Sequence, residues 1–238
     1  YYKGDGERIS FSVNHGFNFL KKGFLNLTGS FRFNDYTQRN GEYDSTVYYN
    51  IPENATSAYR DSVRKLDNQK IAERGFDRKN HKPLGDNRVL NTGFSINGGY
   101  SLNQSMSLFW TVIGNYRFCK DISSNVYRYS KDSLSINTTI YQDGFLPFIE
   151  MRMPDINLIG GIKGVTKSGW HWDAGIIYGK NMSMIDVTNS NNASQQYTDG
   201  IYAPTSFHTG KQSFSQVTNN INLSRDLSNK IKSVKSLT

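Results

Sequence analysis

The chain has 238 residues, 36% of them hydrophobic and 13% aromatic, with a mean hydropathy of −0.62 and a formal net charge of +8 at pH 7. No run approaches the roughly 20 consecutive apolar residues of a membrane-spanning helix, which excludes helical spanning but neither a β-protein in water nor a membrane β-barrel. The charge is spread out, with a modest cluster at Lys230, Lys232 and Lys235; nucleic-acid binding calls for a basic stripe interleaved with aromatics in a recognisable module, and none is present.

An amphipathic hairpin opens the chain. Ile9, Phe11, Val13, Phe17 and Phe19 share one parity, with Ser10, Ser12, Asn14 and Asn18 on the other. After a turn at Lys21-Lys22-Gly23, Leu25, Leu27, Phe31 and Phe33 oppose Asn26, Thr28, Ser30 and Arg32. Side chains on a strand alternate between faces, so each arm has one apolar and one polar side. A polar stretch follows from Asp35 to about Leu90. Inside it, Tyr59, Val63, Leu66 and Ile71 recur at nearly helical spacing, which predicts a short amphipathic helix over roughly Thr56 to Arg74, packed on a loop or a sheet edge.

Two more alternating arms carry Phe94, Ile96, Tyr100 and Leu102, then, past a turn at Asn103-Gln104, Met106, Leu108, Trp110, Val112, Tyr116 and Phe118. The single cysteine, Cys119, ends this arm; it has no disulfide partner and reads as packing. A second polar excursion runs from Lys120 to about Pro154. Ile156, Leu158 and Ile162 then alternate with Asp155, Asn157 and Lys163. Past the turn Thr166-Lys167-Ser168-Gly169, Trp170, Trp172, Ala174, Ile176 and Tyr178 oppose His171, Asp173 and Gly175. A third excursion covers about Ser183 to Ser213, and a seventh arm carries Val217, Ile221 and Leu223 against Gln216, Thr218, Asn220 and Asn222.

Short turns thus alternate strictly with long loops. Compact soluble domains rarely carry several structureless loops of such length, whereas transmembrane barrels place short periplasmic turns at one rim and long extracellular loops at the other. Arms of about ten residues match a tilted strand that crosses a bilayer. Trp170 and Phe24 beside short turns, with Phe33, Phe118 and Tyr178 towards the long loops, fit two interfacial aromatic girdles. A β-sandwich accounts for the alternation, its apolar parity facing a second sheet, but not for the loop rhythm.

Several stretches resemble the N-terminal barrel region of TonB-dependent outer-membrane receptors. Lys22-Gly23-Phe24-Leu25-Asn26-Leu27-Thr28-Gly29 is similar to that family's second periplasmic turn and the strand after it. Ile140-Tyr141-Gln142-Asp143-Gly144-Phe145-Leu146-Pro147 resembles a loop segment of one branch, and Gly160 to Asn181 resembles that branch's strand, turn and strand. Pro204-Thr205-Ser206-Phe207 with Gly210, then Phe214-Ser215-Gln216, resembles the loop entering the next descending strand.

The resemblance implies an all-β fold: an antiparallel transmembrane β-barrel segment, open as a fragment of a larger barrel, with long extracellular loops and one short loop helix. Residues 1–238 would be a partial barrel domain, with the plug domain upstream and the closing strands downstream. The absence of an initiator Met and of a signal peptide, at a start of Tyr1-Tyr2-Lys3, fits an internal piece in which Tyr1 to Glu7 end an extracellular loop. The implied function of the parent is energy-coupled uptake of a scarce substrate, such as a ferric chelate or an oligosaccharide, in the cell outer membrane. Its partners would be outer-membrane lipid, the plug, the TonB complex and that substrate, with no nucleic acid. The alternative is a secreted or surface carbohydrate-binding or adhesin β-domain.

No enzyme, cofactor or metal site is expected. His171 and Asp173 share a parity, but two ligands without a third are a poor metal site and read as a hydrogen-bonded polar pair. His15, His81 and His208 fit no ligand spacing. Asp143 and Glu150 are loop carboxylates and a glycosidase needs a carboxylate pair, but in loops this polar close pairs arise by chance. Arg32, Arg117 and Lys163 would face the lumen, to steer an anionic substrate or, as favoured here, to bind the plug. Tyr48, Tyr49, Tyr127 and Tyr129 are loop aromatics suited to stacking on a sugar. No substrate-binding residue is assigned.

Overall fold

The computed structural model describes residues 5–79, 84–122, 125–227 and 236–237. Its strands are β1 (Arg8–Phe19), β2 (Gly23–Asn34), β3 (Arg88–Ser101), β4 (Met106–Asp121), β5 (Arg128–Tyr129), β6 (Gly144–Phe145), β7 (Phe148–Val165), β8 (Trp170–Thr188), β9 (Phe207–Asp226) and β10 (Ser236–Leu237). One sheet runs β1-β2-β3-β4-β7-β8-β9-β10, and β5 pairs with β6 apart from it. Neighbours are antiparallel throughout. The one α-helix, α1, spans Ser57–Arg74. No helix among the described residues is long and apolar enough to cross a membrane.

The ladder carries the alternation of the sequence across the whole sheet. Phe33, Leu90 and Phe118 are consecutive register partners, as are Ile96, Val112 and Leu158, and Leu108, Ile162, Ala174 and Ile221. Apolar parity therefore meets apolar parity from β1 to β9. No second layer covers this face among the described residues: Phe11 is 65% exposed, Phe94 49% and Ile221 81%. The face is not uniform, since Lys180 lies opposite Ile156, and Asn219 interrupts β9.

Glycines serve as seats for aromatic rings, Gly98 and Gly114 on the apolar face among them. A Cβ on Gly98 would lie 2.4 Å from the Trp110 indole across the ladder, and one on Gly114 would lie 2.3 Å from the Phe94 ring. Each ring thus fills the space that a side chain would occupy.

Four boundaries differ from the sequence reading. The strands run to 16–20 residues in β4, β7, β8 and β9 rather than about ten. β7 starts at Phe148, not after Pro154; the proline stays in the strand because the β7–β8 ladder skips it, passing from Arg152↔Met184 to Asp155↔Asn181. β8 reaches Thr188 and β9 starts at Phe207, so the third excursion shrinks to residues 189–206. In the first turn Gly23 already belongs to β2, while Leu20 and Lys21 take positive φ.

Two of the girdle aromatics also move. Phe24 lies on the polar face, against Gly99, and Tyr178 lies inside β8 rather than at its loop end. Trp170 does sit at the turn rim, with the Arg225 guanidinium 5.5 Å from its ring. Lys230, Lys232, Lys235 and His81 lie outside the described residues.

Candidate functional site: the loop cap and the polar face

The long connections are folded, and that is the main departure from the sequence reading. Residues 35–79 and 125–147 pack together at one rim around Val47, Tyr48 and Tyr129, with Tyr43, Ile71, Phe76 and Tyr127 against them. Helix α1 positions this core. Thr56 caps its N-terminus, accepting from the Tyr59 N–H, and Gly75 ends it in the left-handed conformation at φ 64°. The chain then turns back, with Phe76 N–H donating to Ile71 O, and places Phe76 edge-on to Tyr48 and Tyr127.

The helix face that packs inward is Val63, Asp67 and Ile71; Val63 and Ile71 are in the predicted stripe, but its other two members, Tyr59 and Leu66, face solvent. Asp67 is 1% exposed and is the keystone of the cap. Its carboxylate accepts the Val47 N–H at 3.0 and 3.1 Å and the Tyr48 N–H at 2.8 Å, with the Arg78 guanidinium 3.8 Å away. Arg78 in turn donates to the Tyr43 and Ser45 carbonyls, so helix and loop are bound at both ends of residues 43–48.

A second clasp joins the two loops. Arg74 forks onto Asp143 at 2.7 and 2.8 Å, and the Tyr48 hydroxyl donates to the same carboxylate at 2.9 Å. The guanidinium holds the Asp143 carboxyl below its usual range. Burial pushes the Tyr127 phenol up to about 12, helped by the Asp143 charge, and raises Tyr48 and Tyr129 as well. Residues 189–206 join through Asn137 Nδ2 donating to Gly200 O and the Tyr141 hydroxyl donating to Ser190 O.

The tyrosines singled out for sugar stacking are therefore mostly core. Tyr48 and Tyr129 are buried and Tyr127 packs against them; only Tyr49 stays on the surface. Exposed aromatics come instead from the third connection, where Tyr197 and Tyr202 stand open beside Ile201. Their signal in the sequence is only a tyrosine in a polar loop, which does not separate surface from core.

The polar face separates the three predicted cations. Arg32, Asn91 and Arg117 are successive register partners towards the loop rim, with Arg117 Nε donating to Asn91 Oδ1 at 3.5 Å. Lys163 lies near the opposite rim, across from Asp173. There it lines an open crevice of about 420 Å³ with His171, Asp173, Ser107 and Asn222. Asp173 accepts from Asn222 Nδ2 at 2.9 Å, so its partner is this amide on the next strand and not His171, with which the sequence reading paired it.

The remaining candidates are dispersed. His15 stands beside Phe17 on the apolar face, and His208 is held by Asp186 at 2.7 Å. Glu150 binds Lys120 and Arg152, whereas Asp143 is taken up by Arg74, so the two carboxylates are held in separate ion pairs. Among the described residues no group of three His, Cys, Asp or Glu side chains is placed to hold a metal ion.

At the loop side of the apolar face a charged row crosses four strands. Lys120, Glu150, Asp186 and His208 are successive register partners, and Arg152 bridges Glu150 and Asp186. The arrangement offers an uncovered apolar band with a charged border, a polar reverse face and a packed cap. No protein-family model matches the chain, and neither a curated protein nor a solved structure matches it.

Proposed function

We propose that the sheet is part of the wall of an antiparallel transmembrane β-barrel in an outer membrane, and that the protein to which it belongs is a TonB-dependent receptor. The observation that carries this reading is the uncovered apolar face with its charged border. On β7 the apolar parity runs from Gly164 to Pro154 before Arg152. At about 3.3 Å per residue this is ~33 Å of strand, or ~25 Å across the membrane at a tilt of ~40°, which is the height of a barrel's lipid band. An open edge in lipid leaves backbone groups unpaired, so to close the wall needs further strands beside β1 and along β9 beyond the two residues that β10 pairs.

In this reading the short turns lie in the periplasm and the cap faces outward. The cap meets the substrate, the polar face meets the plug, and force relayed by TonB moves the plug to admit the substrate. The class of substrate is a scarce solute such as a ferric chelate or an oligosaccharide. A surface carbohydrate-binding domain is the second reading, favoured by the open Tyr197 and Tyr202; it lacks a cover for the apolar face.

Cell fractionation of the full-length polypeptide tests the first reading. The expected result is an outer-membrane protein that needs detergent to dissolve and migrates faster on a gel unheated than heated. Recovery as a soluble monomer without detergent would overturn it.

A further inference from the structure

A crevice of about 350 Å³ opens at the loop side of the apolar face, lined by Asp5, Tyr36, Arg88, Lys120, Leu146 and Phe148 among others. Arg88 and Lys120 are direct register partners on neighbouring strands. Like charges facing each other across a ladder repel, unless an anion is held between them. Their carboxylate partners lie to the outside of the pair: Asp35, just past β2, binds Arg88 Nε at 2.7 Å, and Glu150 on β7 lies 3.3 Å from Lys120 Nζ. Asp35 takes one of the guanidinium's five donors and Glu150 one of the ammonium's three.

Two further observations define what would fit. The rings of Tyr36 and Phe148 lie 5.4 Å from the Arg88 guanidinium and 4.1 Å from the Lys120 ammonium, so each cation borders an aromatic surface. Asp5 Oδ1 is buried without a hydrogen-bond partner, although Oδ2 of the same carboxylate binds Gln38 N–H and Arg39. A buried acceptor without a donor is costly, and a hydroxyl supplies the missing proton. Directly below the cations on the same face runs the apolar row Phe33, Leu90 and Phe118.

We infer that this crevice binds the headgroup of a phosphorylated glycolipid of the outer leaflet, with its phosphate between Arg88 and Lys120. A sugar hydroxyl donates to Asp5 Oδ1, the sugar rests on Tyr36 and Phe148, and the acyl chains descend over Phe33, Leu90 and Phe118. The inference rests on the membrane reading of the sheet, which fixes both the apolar band and the leaflet.

The test uses full-length protein purified from outer membranes in detergent, with native mass spectrometry of added diphosphoryl lipid A, fully dephosphorylated lipid A and phosphatidic acid. Diphosphoryl lipid A is expected to bind about tenfold more tightly than either of the others, the worth of one charge-assisted hydrogen bond. The double variant Arg88→Gln and Lys120→Gln is expected to lose that preference, whereas Lys180→Gln, which removes an exposed cation from the same face outside the crevice, keeps it. Equal binding of the three lipids by the unaltered protein, or equal losses in the double variant and in Lys180→Gln, would overturn the inference. A protein absent from the membrane fraction would instead sink the proposed function itself, and at an earlier step.

Discussion

In the sheet, Phe11, Phe94 and Ile221 stand open on a layer one strand thick; in the cap, Val47 and Ile136 are completely buried. The sheet is held by backbone ladders and cross-strand pairs and has no core of its own, so its apolar side chains require an external medium. The cap has a small core stapled by Asp67, which needs nothing beyond its own residues. Regularity and burial are therefore separated in this molecule: the regular part is unburied and the irregular part is packed.

The largest expected effect comes from charging the open face. Val112→Arg lies mid-strand between Ile96 and Leu158 and is expected to cost about 2–4 kcal/mol in a bilayer. Thr111→Arg on the opposite face is expected to be nearly neutral. Denaturant unfolding in lipid vesicles measures both, and equal losses would mean that the two faces share one environment.

Asp67→Ala removes the acceptor of the Val47 and Tyr48 N–H groups and should destabilise the cap by about 3 kcal/mol. Hydrogen exchange is expected to speed up at those two amides while amides of β3 and β4 stay protected. A matching loss of protection in the strands would join cap and sheet into a single cooperative unit.

Gly98→Ala puts a methyl group where the Trp110 ring lies, at a cost of roughly 1–2 kcal/mol, and should shift tryptophan emission as the indole is lifted. Unchanged emission would show that the ring has room to spare.

The smallest effect is that of pH on the Arg74–Asp143 clasp, whose side chains are more than a third exposed, so its contribution stays below about 1 kcal/mol. The folded-state pKa of Asp143 is lowered. The clasp therefore contributes fully above the ordinary carboxylate value of about 3.9, and that contribution is lost as pH falls through the lower folded value. Proteolysis of the cap against pH, compared between the unaltered protein and Asp143→Asn, reads this difference; a variant with an unchanged acid profile would remove Asp143 from the account.

The strands were legible because period two is local: Ile9, Phe11 and Val13 declare a face without knowledge of any neighbour. Helix α1 was legible for the same reason, to within one residue of its start. Half of its predicted stripe packs inward, Val63 and Ile71, whereas Tyr59 and Leu66 do not; the inward spacing is Val63–Asp67–Ile71, where an acid lies at i+4 from one apolar residue and i−4 from another. The cap core was not legible, since Val47, Phe76 and Tyr129 meet through contacts between distant loops that leave no periodic trace. The second excursion was drawn to about Pro154, whereas a gap in one ladder lets the strand run through the proline from Phe148. Candidate site residues fared according to where they lie. Faces were assigned correctly for Arg32, Arg117 and Lys163, while which loop tyrosines are buried depended on packing.

Each long strand pairs with the next long strand in the chain, and every long connection leaves from the same rim. Register is thus set at the rim of short turns, and connections on the far side are free to differ in length without disturbing it. Closing residues 35–87 instead of a stretch the size of 189–206 adds only about 1 kcal/mol of loop entropy, less than one good core contact returns. A wall with this connectivity tolerates insertion and exchange on one side only. The connections are therefore open to rapid change while the lattice of strands that carries them stays fixed.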